Sequence, residues 1–410
     1  MPDSKSAPNP AAARGNNAPA EVAARGKNTP AEAAALRVEA APAEAALAGA
    51  APAGAATPEA LTYSRAGVDV THTDAIKSGI AGFVDSPNPR VLNGLGPFAS
   101  LYDIRFETIK DPVLVLKAEE PGSKQKLAIQ YGHAESVCHD LINHLVNDIA
   151  VMGARPLAVL DTIVCGAADR ETITALVKGL SEACRENECD LVGGETSVQP
   201  GVLDGGVYIL TASIAGIVDR EKIIDGAKTK PGDKILALAS NGLHTNGYTL
   251  VRMLMEENPQ ILREKPGGES FLELILKPHT PYYKAIKGLF GNPALHGMAH
   301  ITGGGMEGNI PRVLPAGLSA RIDLGRIRIP PIFQLIRQYG NIDEHEMLKT
   351  FNCGVGMVLI TAPDAAAGII DAVSAYCPCY EIGEIVSAAT DADEAAASIE
   401  LTGHLRRDAL

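Results

Sequence analysis

The chain has 410 residues, 46% of them apolar and 21% charged, the balance of a globular protein long enough for two or three domains. Its 36 Lys and Arg face 49 Asp and Glu, a formal net charge of −13, which repels phosphate backbones and argues against nucleic-acid binding. The longest apolar run, residues 41–57, is Ala-based and broken by Pro42, Glu44 and Pro52, too weak to enter a bilayer.

Residues 1–60 hold 24 Ala and 8 Pro and no aromatic residue. Such a segment has too little large apolar surface to offset the entropy of ordering, so it reads as a disordered extension. Its acids, Glu21, Glu32, Glu39 and Glu44, argue against an organelle-targeting peptide. Beyond it, Val113–Leu116 has strand character and His133–Met152 has helical periodicity. On that helix Leu141, Ile142, Leu145, Val146 and Ile149 share one face, and Asp140, Asn143, His144 and Asn147 the other, with Asp148 at the border. A strand is expected over Leu157–Val164, a helix over Thr172–Glu186 and a long strand over Val207–Val218. The turn chemistry of Pro231-Gly232-Asp233 marks a connector. The pattern then restarts with strand Lys234–Ala239 and helix Tyr248–Glu256. Helix Ile332–Gln338, strand Met357–Thr361, helix Asp364–Ala375 and strands near Tyr380–Val386 and Ser398–Leu401 follow. This alternation gives an α/β (α+β) protein of two lobes, 61–225 and 226–405.

Four segments concentrate special backbone and ionisable groups. Leu191-Val192-Gly193-Gly194-Glu195-Thr196 is expected just after a strand, where paired glycines admit a ligand and leave a carboxylate and a hydroxyl at the strand's edge. Ser240–Tyr248 is a polar loop leading into a helix, with Thr245 or Asn246 as N-cap and His244 as the group that titrates near neutrality. Three glycines, Gly303, Gly304 and Gly305, precede a helix expected near Glu307 and suit a phosphate or ribose pressed on the backbone. Asn352-Cys353-Gly354 joins a polar side chain to a glycine turn, with Cys353 read as a packed thiol. Each segment alone is also what a turn or capping loop provides. Asp148 and Glu195 are candidate magnesium carboxylates, since that ion takes one or two protein carboxylates besides substrate phosphates. The seven cysteines include no C-x-x-C pair and read as free thiols of a reducing compartment, with the cytoplasm as the expected location.

Taken together, and in order, several segments resemble the AIR synthetase (phosphoribosylformylglycinamidine cyclo-ligase) family from Tyr63 to about Leu401. They include Y-S-R-A-G-V-D at 63–69, V-N-D-I-A-V-M-G-A-R-P-L at 146–157, L-V-G-G-E-T at 191–196 and S-N-G-L-H-T-N-G-Y at 240–248. T-G-G-G-M-E-G-N-I-P-R-V-L-P at 302–315 and H-E-M-L-K-T-F-N-C-G-V-G-M at 345–357 complete the set. The resemblance implies two α/β lobes, with N-terminal strands shared in a homodimeric barrel. It also implies ATP-dependent cyclisation of formylglycinamidine ribonucleotide, a small-molecule substrate, with Mg2+ at the phosphates. By the same resemblance Lys124, Asp148 and His244 are the catalytic candidates. Glu119, Gly122, Ser123, Lys124, Glu195, Thr196, Asn246, Gly303, Gly304, Gly305 and Asn352 are the nucleotide-binding candidates, and Glu119, Asp148 and Glu195 the metal ligands. One stretch departs from the family pattern. Where the family reads approximately T-D-G-V-G-T-K, this chain has Ala118-Glu119-Glu120-Pro121-Gly122-Ser123-Lys124. Pro121 removes an N–H and Glu120 adds negative charge beside the expected triphosphate. That departure motivates two alternatives: a superfamily member acting on another substrate, or a non-catalytic dimeric paralogue.

Overall fold

The computed structural model describes residues 60–94, 96–388 and 396–406; the expected N-terminal extension, Ala60 apart, lies outside the described residues. The described residues from Ala60 onward belong to one compact unit, built on two sheets.

The N-terminal part contains helix α1 (Val70–Val84), strand β1 (Pro112–Glu119) and helices α2 (Lys124–Tyr131) and α3 (Ala134–Ala150). Strand β2 (Arg155–Cys165), helix α4 (Arg170–Glu186) and strands β3 (Asp190–Val198) and β4 (Tyr208–Asp219) follow. Asp69 and Asp169 start α1 and α4 by accepting the backbone N–H groups of His72 and Thr172, as N-cap carboxylates do. The sheet order is β1-β4-β2-β3, with β3 parallel to β2 and the other pairs antiparallel.

The C-terminal part has a six-stranded sheet in the order β10-β7-β9-β5-β8-β6. Its strands are β5 (Lys234–Ala239), β6 (Leu295–His300), β7 (Leu318–Asp323), β8 (Val355–Thr361), β9 (Cys379–Ser387) and β10 (Ser398–Thr402). Helices α5 (Tyr248–Glu257), α6 (Phe271–Leu276), α7 (Tyr283–Ile286), α8 (Gly305–Asn309), α9 (Pro331–Gly340), α10 (Glu344–Thr350) and α11 (Ala366–Ser374) accompany them. Both faces of its central strands are buried, so β5 and β8 read as continuous apolar runs. Leu236, Leu238, Met357 and Leu359 join the core that reaches α3, while Ile235, Ala237, Val358 and Ile360 join a second core with α5 and α9. This is the period-two alternation of a strand used on both sides.

Helix α3 connects the two parts, and its polar stripe is buried. Asp140, Asn143, His144 and Asn147 are all at most 7% exposed. They hold the segment Leu276–Tyr282, which runs along the helix with no strand or helix partner for much of its backbone. Ser136 Oγ donates to the Leu276 carbonyl, Asn143 to that of His279 and Asn147 to that of Thr280. Asp140 accepts the His279 N–H and Asn147 that of Tyr282. Buried backbone groups need such partners. No helix among the described residues is long and apolar enough to cross a membrane, and all seven cysteines are free, six of them buried.

Candidate active site

The end of β1, the buried side of α3 and the end of β6 meet in one ionisable seam. Lys117 Nζ lies 2.7 Å from Glu119 and 3.0 Å from Asp148. Asp148 Oδ1 is 2.7 Å from His300 Nδ1, and His300 Nε2 is 2.8 Å from His279 Nε2. His279 stacks on His244 at 3.9 Å between ring centroids, and its backbone N–H reaches Asp140. Asp140 pairs with Lys124 at 2.8 Å. A continuous polar path therefore runs from Lys117 to Lys124.

Burial and neighbours set the charges along this path. Burial tends to raise Asp148, but the His300 hydrogen bond and the surrounding positive groups outweigh it and hold the carboxyl well below the usual range. Lys117 is raised, because Glu119 and Asp148 outweigh its partial burial. Burial, and secondarily His300, lowers His144 to about 4. His244 and His279 are pushed well below the ordinary histidine value by burial, so three imidazoles stay neutral at pH 7. Burial raises Asp140 to about 6 despite Lys124, and lowers Lys124 despite Asp140.

Several expectations need correction. Lys124, named above for catalysis and nucleotide binding, has a fully buried side chain. Its ammonium is shared by Asp140 and the carbonyls of His244 and Lys277. The reason is the turn at Gly122 (φ +62), which starts α2 at Lys124 and directs the chain inward beneath buried Pro121. His244 is likewise 1% exposed, with Nε2 on the Thr280 hydroxyl and φ of +61. Neither Thr245 nor Asn246 caps α5; Gly247, in the left-handed region, occupies that position. Thr245 instead reaches His144 Nδ1. Asn352 is 3% exposed, accepts from Ser240 and the Gly354 N–H and donates to the Gly242 carbonyl. It ties two turns together. Gly305 serves packing: a Cβ there would fall 1.8 Å from the Leu348 carbonyl oxygen. Gly303 is exposed and Gly304 partly so, with Gly303 against the Asn246 amide. Ser123 sits 3.3 Å from the Thr249 hydroxyl, at the start of α5.

The Gly-Gly-Glu-Thr segment does not follow a strand; it is part of β3. Gly194 is required there because a Cβ would lie 2.1 Å from the Asp161 carboxylate. Glu195 pairs with Thr162 of β2, which pairs with Thr211 of β4, one residue beyond the row that joins Glu119, Ala212 and Asp161. Alternation across the pleat sends Glu195 to the opposite face from Glu119. Glu195 is exposed and, with Thr162, Ser213 and Leu116, lines a cavity of about 860 Å³ over that face. Asp148 and Glu119 are thus brought together, Lys124 lies at the far end of the path, and Glu195 stands apart. The residues that sequence reading missed are Lys117, His144, Asp161, His279 and His300. Asp161, raised to about 7 chiefly by burial, lies inside an apolar-looking strand. His300 directly precedes the Ile301-Thr302-Gly303 run, a position that could have drawn attention to it.

Known proteins resemble this chain over the same span. The N-terminal domain of AIR synthase related proteins matches residues 107–218 and the C-terminal domain 230–392. A phosphoribosylformylglycinamidine cyclo-ligase of Methylobacillus flagellatus is 42% identical over 310 residues, covering 75% of this chain and 89% of that protein. That of Aromatoleum aromaticum is 40% identical over 337 residues, covering 81% and 97%. Among solved structures, the hydrogenase maturation protein HypE in complex with ATP matches with a TM-score of 0.57 at 16% identity, over 83% of this chain and 96% of that one, a likeness of fold. With both domains matched in order and such identity over nearly whole relatives, the chain belongs to the phosphoribosylformylglycinamidine cyclo-ligase family of AIR synthase related proteins.

Proposed function

We infer that the chain closes the imidazole ring of formylglycinamidine ribonucleotide, using ATP and releasing ADP, phosphate and aminoimidazole ribonucleotide, as a step of purine biosynthesis. The carrying observation is the identity of about 40% to cyclo-ligases across 89–97% of their length. Those relatives do not favour the alternatives of another substrate or a non-catalytic paralogue. The chemistry is coherent. A formamide oxygen is a poor leaving group, so ATP phosphorylates it; the amidine nitrogen then attacks the formyl carbon and phosphate departs.

The residues present fit a magnesium ion, since two carboxylates, Asp148 and Glu119, converge on the Lys117 ammonium and magnesium favours oxygen donors. Bound there, the ion would neutralise phosphate oxygens. Lys117 takes the phosphate-facing role first given to Lys124, because it is partly exposed and stands between the two carboxylates. Glu195, Thr196, Asn246, Gly303 and Gly304 remain the candidates for nucleotide contacts. Lys124 and His244 act as positioning groups that fix the 240–247 loop. Asn352 and Gly305 hold the turns around it.

The reading includes a homodimer, formed through the outer face of the four-stranded sheet. Leu114, Leu116, Leu160 and Ile209 are 38–70% exposed there, a continuous apolar surface of the kind that partners cover. It also includes a division of the chain near 225/226 and a cytoplasmic location. A steady-state assay with formylglycinamidine ribonucleotide and Mg-ATP tests the reaction. Equal yields of ADP and aminoimidazole ribonucleotide are expected; ATP turnover indifferent to that substrate would overturn it.

A further inference from the structure

Within the seam, His144, Asp148 and His300 present one ligand atom each, all within 4.8 Å of one another. Two imidazoles and one carboxylate form a donor set for first-row transition ions, whereas magnesium keeps to oxygen. The three residues stand on regular elements. His144 and Asp148 are one turn apart on α3, and His300 ends β6.

Each imidazole also has its far nitrogen engaged. His144 Nδ1 faces the Thr245 hydroxyl at 3.2 Å, which leaves Nε2 turned toward Asp148 at 3.6 Å and Glu119 at 3.9 Å. His300 Nε2 faces His279 Nε2, which leaves Nδ1 on the Asp148 side. Outer partners of this kind fix tautomer and ring orientation at metal centres. A purely structural ion-pair network would not require both inward nitrogens to converge on one carboxylate. The cation now serving these acids is Lys117, whose side chain is 36% exposed and free at one side to move to solvent.

We propose that His144 Nε2, His300 Nδ1 and the Asp148 carboxylate bind a divalent transition ion of the zinc class, in exchange for the Lys117 ammonium, with Glu119 as a fourth donor. Ligation displaces any proton on His300 Nδ1 to solvent, while Nε2 stays turned to His279. The site shares Asp148 and Glu119 with the magnesium reading and adds two imidazole donors. Its test uses no nucleotide, so failure of one reading does not decide the other.

The test is calorimetric titration of the metal-stripped full chain with Zn2+, paralleled by Co2+ absorption in the visible. One site per chain is expected, with Co2+ bands of low-coordinate type and no displacement by millimolar Mg2+. His144→Ala and His300→Ala should each weaken binding by at least about tenfold. Lys117→Met should tighten it by at least about tenfold, because a competing charge is removed. Cys377→Ser, which alters the one cysteine that is not buried, should change nothing. The proposal is overturned by absence of one-site binding, by displacement with Mg2+, or by loss of binding in Cys377→Ser. Equal or weaker binding in Lys117→Met overturns it as well. That variant sits on a partly exposed strand position and keeps the test decisive if the histidine variants fail to fold.

Discussion

The outer face of the four-stranded sheet and the buried stripe of α3 carry chemistry opposite to their positions. Leu116 and Leu160 are 70% and 49% exposed on the outer face, while Asp140, Asn147 and Lys124 are fully buried behind the inner one. Apolar groups left in water and polar groups taken out of it both cost free energy unless something answers them. On the inner side the answer is visible, since the stripe satisfies the irregular backbone of Leu276–Tyr282 and closes on an ion pair. On the outer side the proposed second copy supplies it. With that proposed copy in place, inside and outside in this chain are defined by the dimer and the two joined sheets, not by either sheet alone.

The strongest way to break this comparison is at the buried ion pair. Lys124→Ala leaves the Asp140 carboxylate without its cation in a fully buried site, and removing one partner of such a pair costs about 3–5 kcal/mol. Urea denaturation should show that loss, and Lys124→Met with Asp140→Leu should recover much of it. A stability change below about 1 kcal/mol in the single variant would mean that the ammonium is not structural. Turnover should fall along with stability, in contrast to the pure turnover loss that an exposed phosphate-binding lysine would give.

That contrast marks where the sequence was legible. Periodicity located α3, α4, β2, β4, β5 and α5 to within a residue or two, because each has a one-sided or continuous apolar pattern that matches its period. The family motifs were legible too, and the resemblance named Glu119 and Asp148 as metal ligands, but in one set with Glu195, which lies on the other face of the sheet. What could not be seen is which polar face becomes buried. Asp140, His144 and Asn147 look like a solvated helix face, since nothing local to α3 reveals that residues 276–282 will lie on them. Gly305 and Asn352 misled for a similar reason: a glycine run and a polar turn suit a ligand as well as they suit a neighbouring carbonyl. Strands β6 and β7 lack a clear alternation, His296 and His300 interrupting the first, and so were missed.

A second test addresses the outer face. Leu116→Asp places a charge on a position already open in the single chain, so the fold should be barely affected. If a second copy covers it, burying that charge should weaken association by about 2 kcal/mol or more, roughly thirtyfold at that free energy. Sedimentation across a micromolar concentration series should show dimer becoming monomer. A monomeric parent chain, or a variant that still dimerises with unchanged affinity, breaks the comparison on this side.

The neutral imidazoles offer a test by pH. A histidine whose folded value is lowered binds its proton mainly in the unfolded state. Its contribution is therefore present above about 6.5 and lost as pH falls toward the folded value, about 4 for His144. Asp140 and Asp161, raised to about 6 and about 7, act oppositely. Their contribution is present below about 4 and lost as pH rises through those values. His144→Gln should therefore reduce the rise of stability with pH between 4 and 6.5 by roughly 1.4 kcal/mol per pH unit. Denaturation midpoints at half-unit intervals would show it, and an unchanged slope would mean that His144 is charged in the folded chain.

The smallest stability effect should come from Glu195→Gln. Its carboxylate is exposed over the cavity of the outer face rather than joined to the seam, and substitutions at such positions stay within about 0.5 kcal/mol. Binding is the informative readout. If the nucleotide spans from Lys117 to the Gly-Gly-Glu-Thr strand, calorimetry should show weaker Mg-ATP binding with an unchanged melting temperature. Unaltered Mg-ATP affinity would confine the nucleotide to the seam side, and the carboxylates that matter would be Asp148 and Glu119 alone. Because Glu195 and Glu119 point to opposite faces of one sheet, a loss in both Glu195→Gln and Glu119→Gln requires a ligand that reaches around the end of β1, where the departing Glu120-Pro121 segment begins.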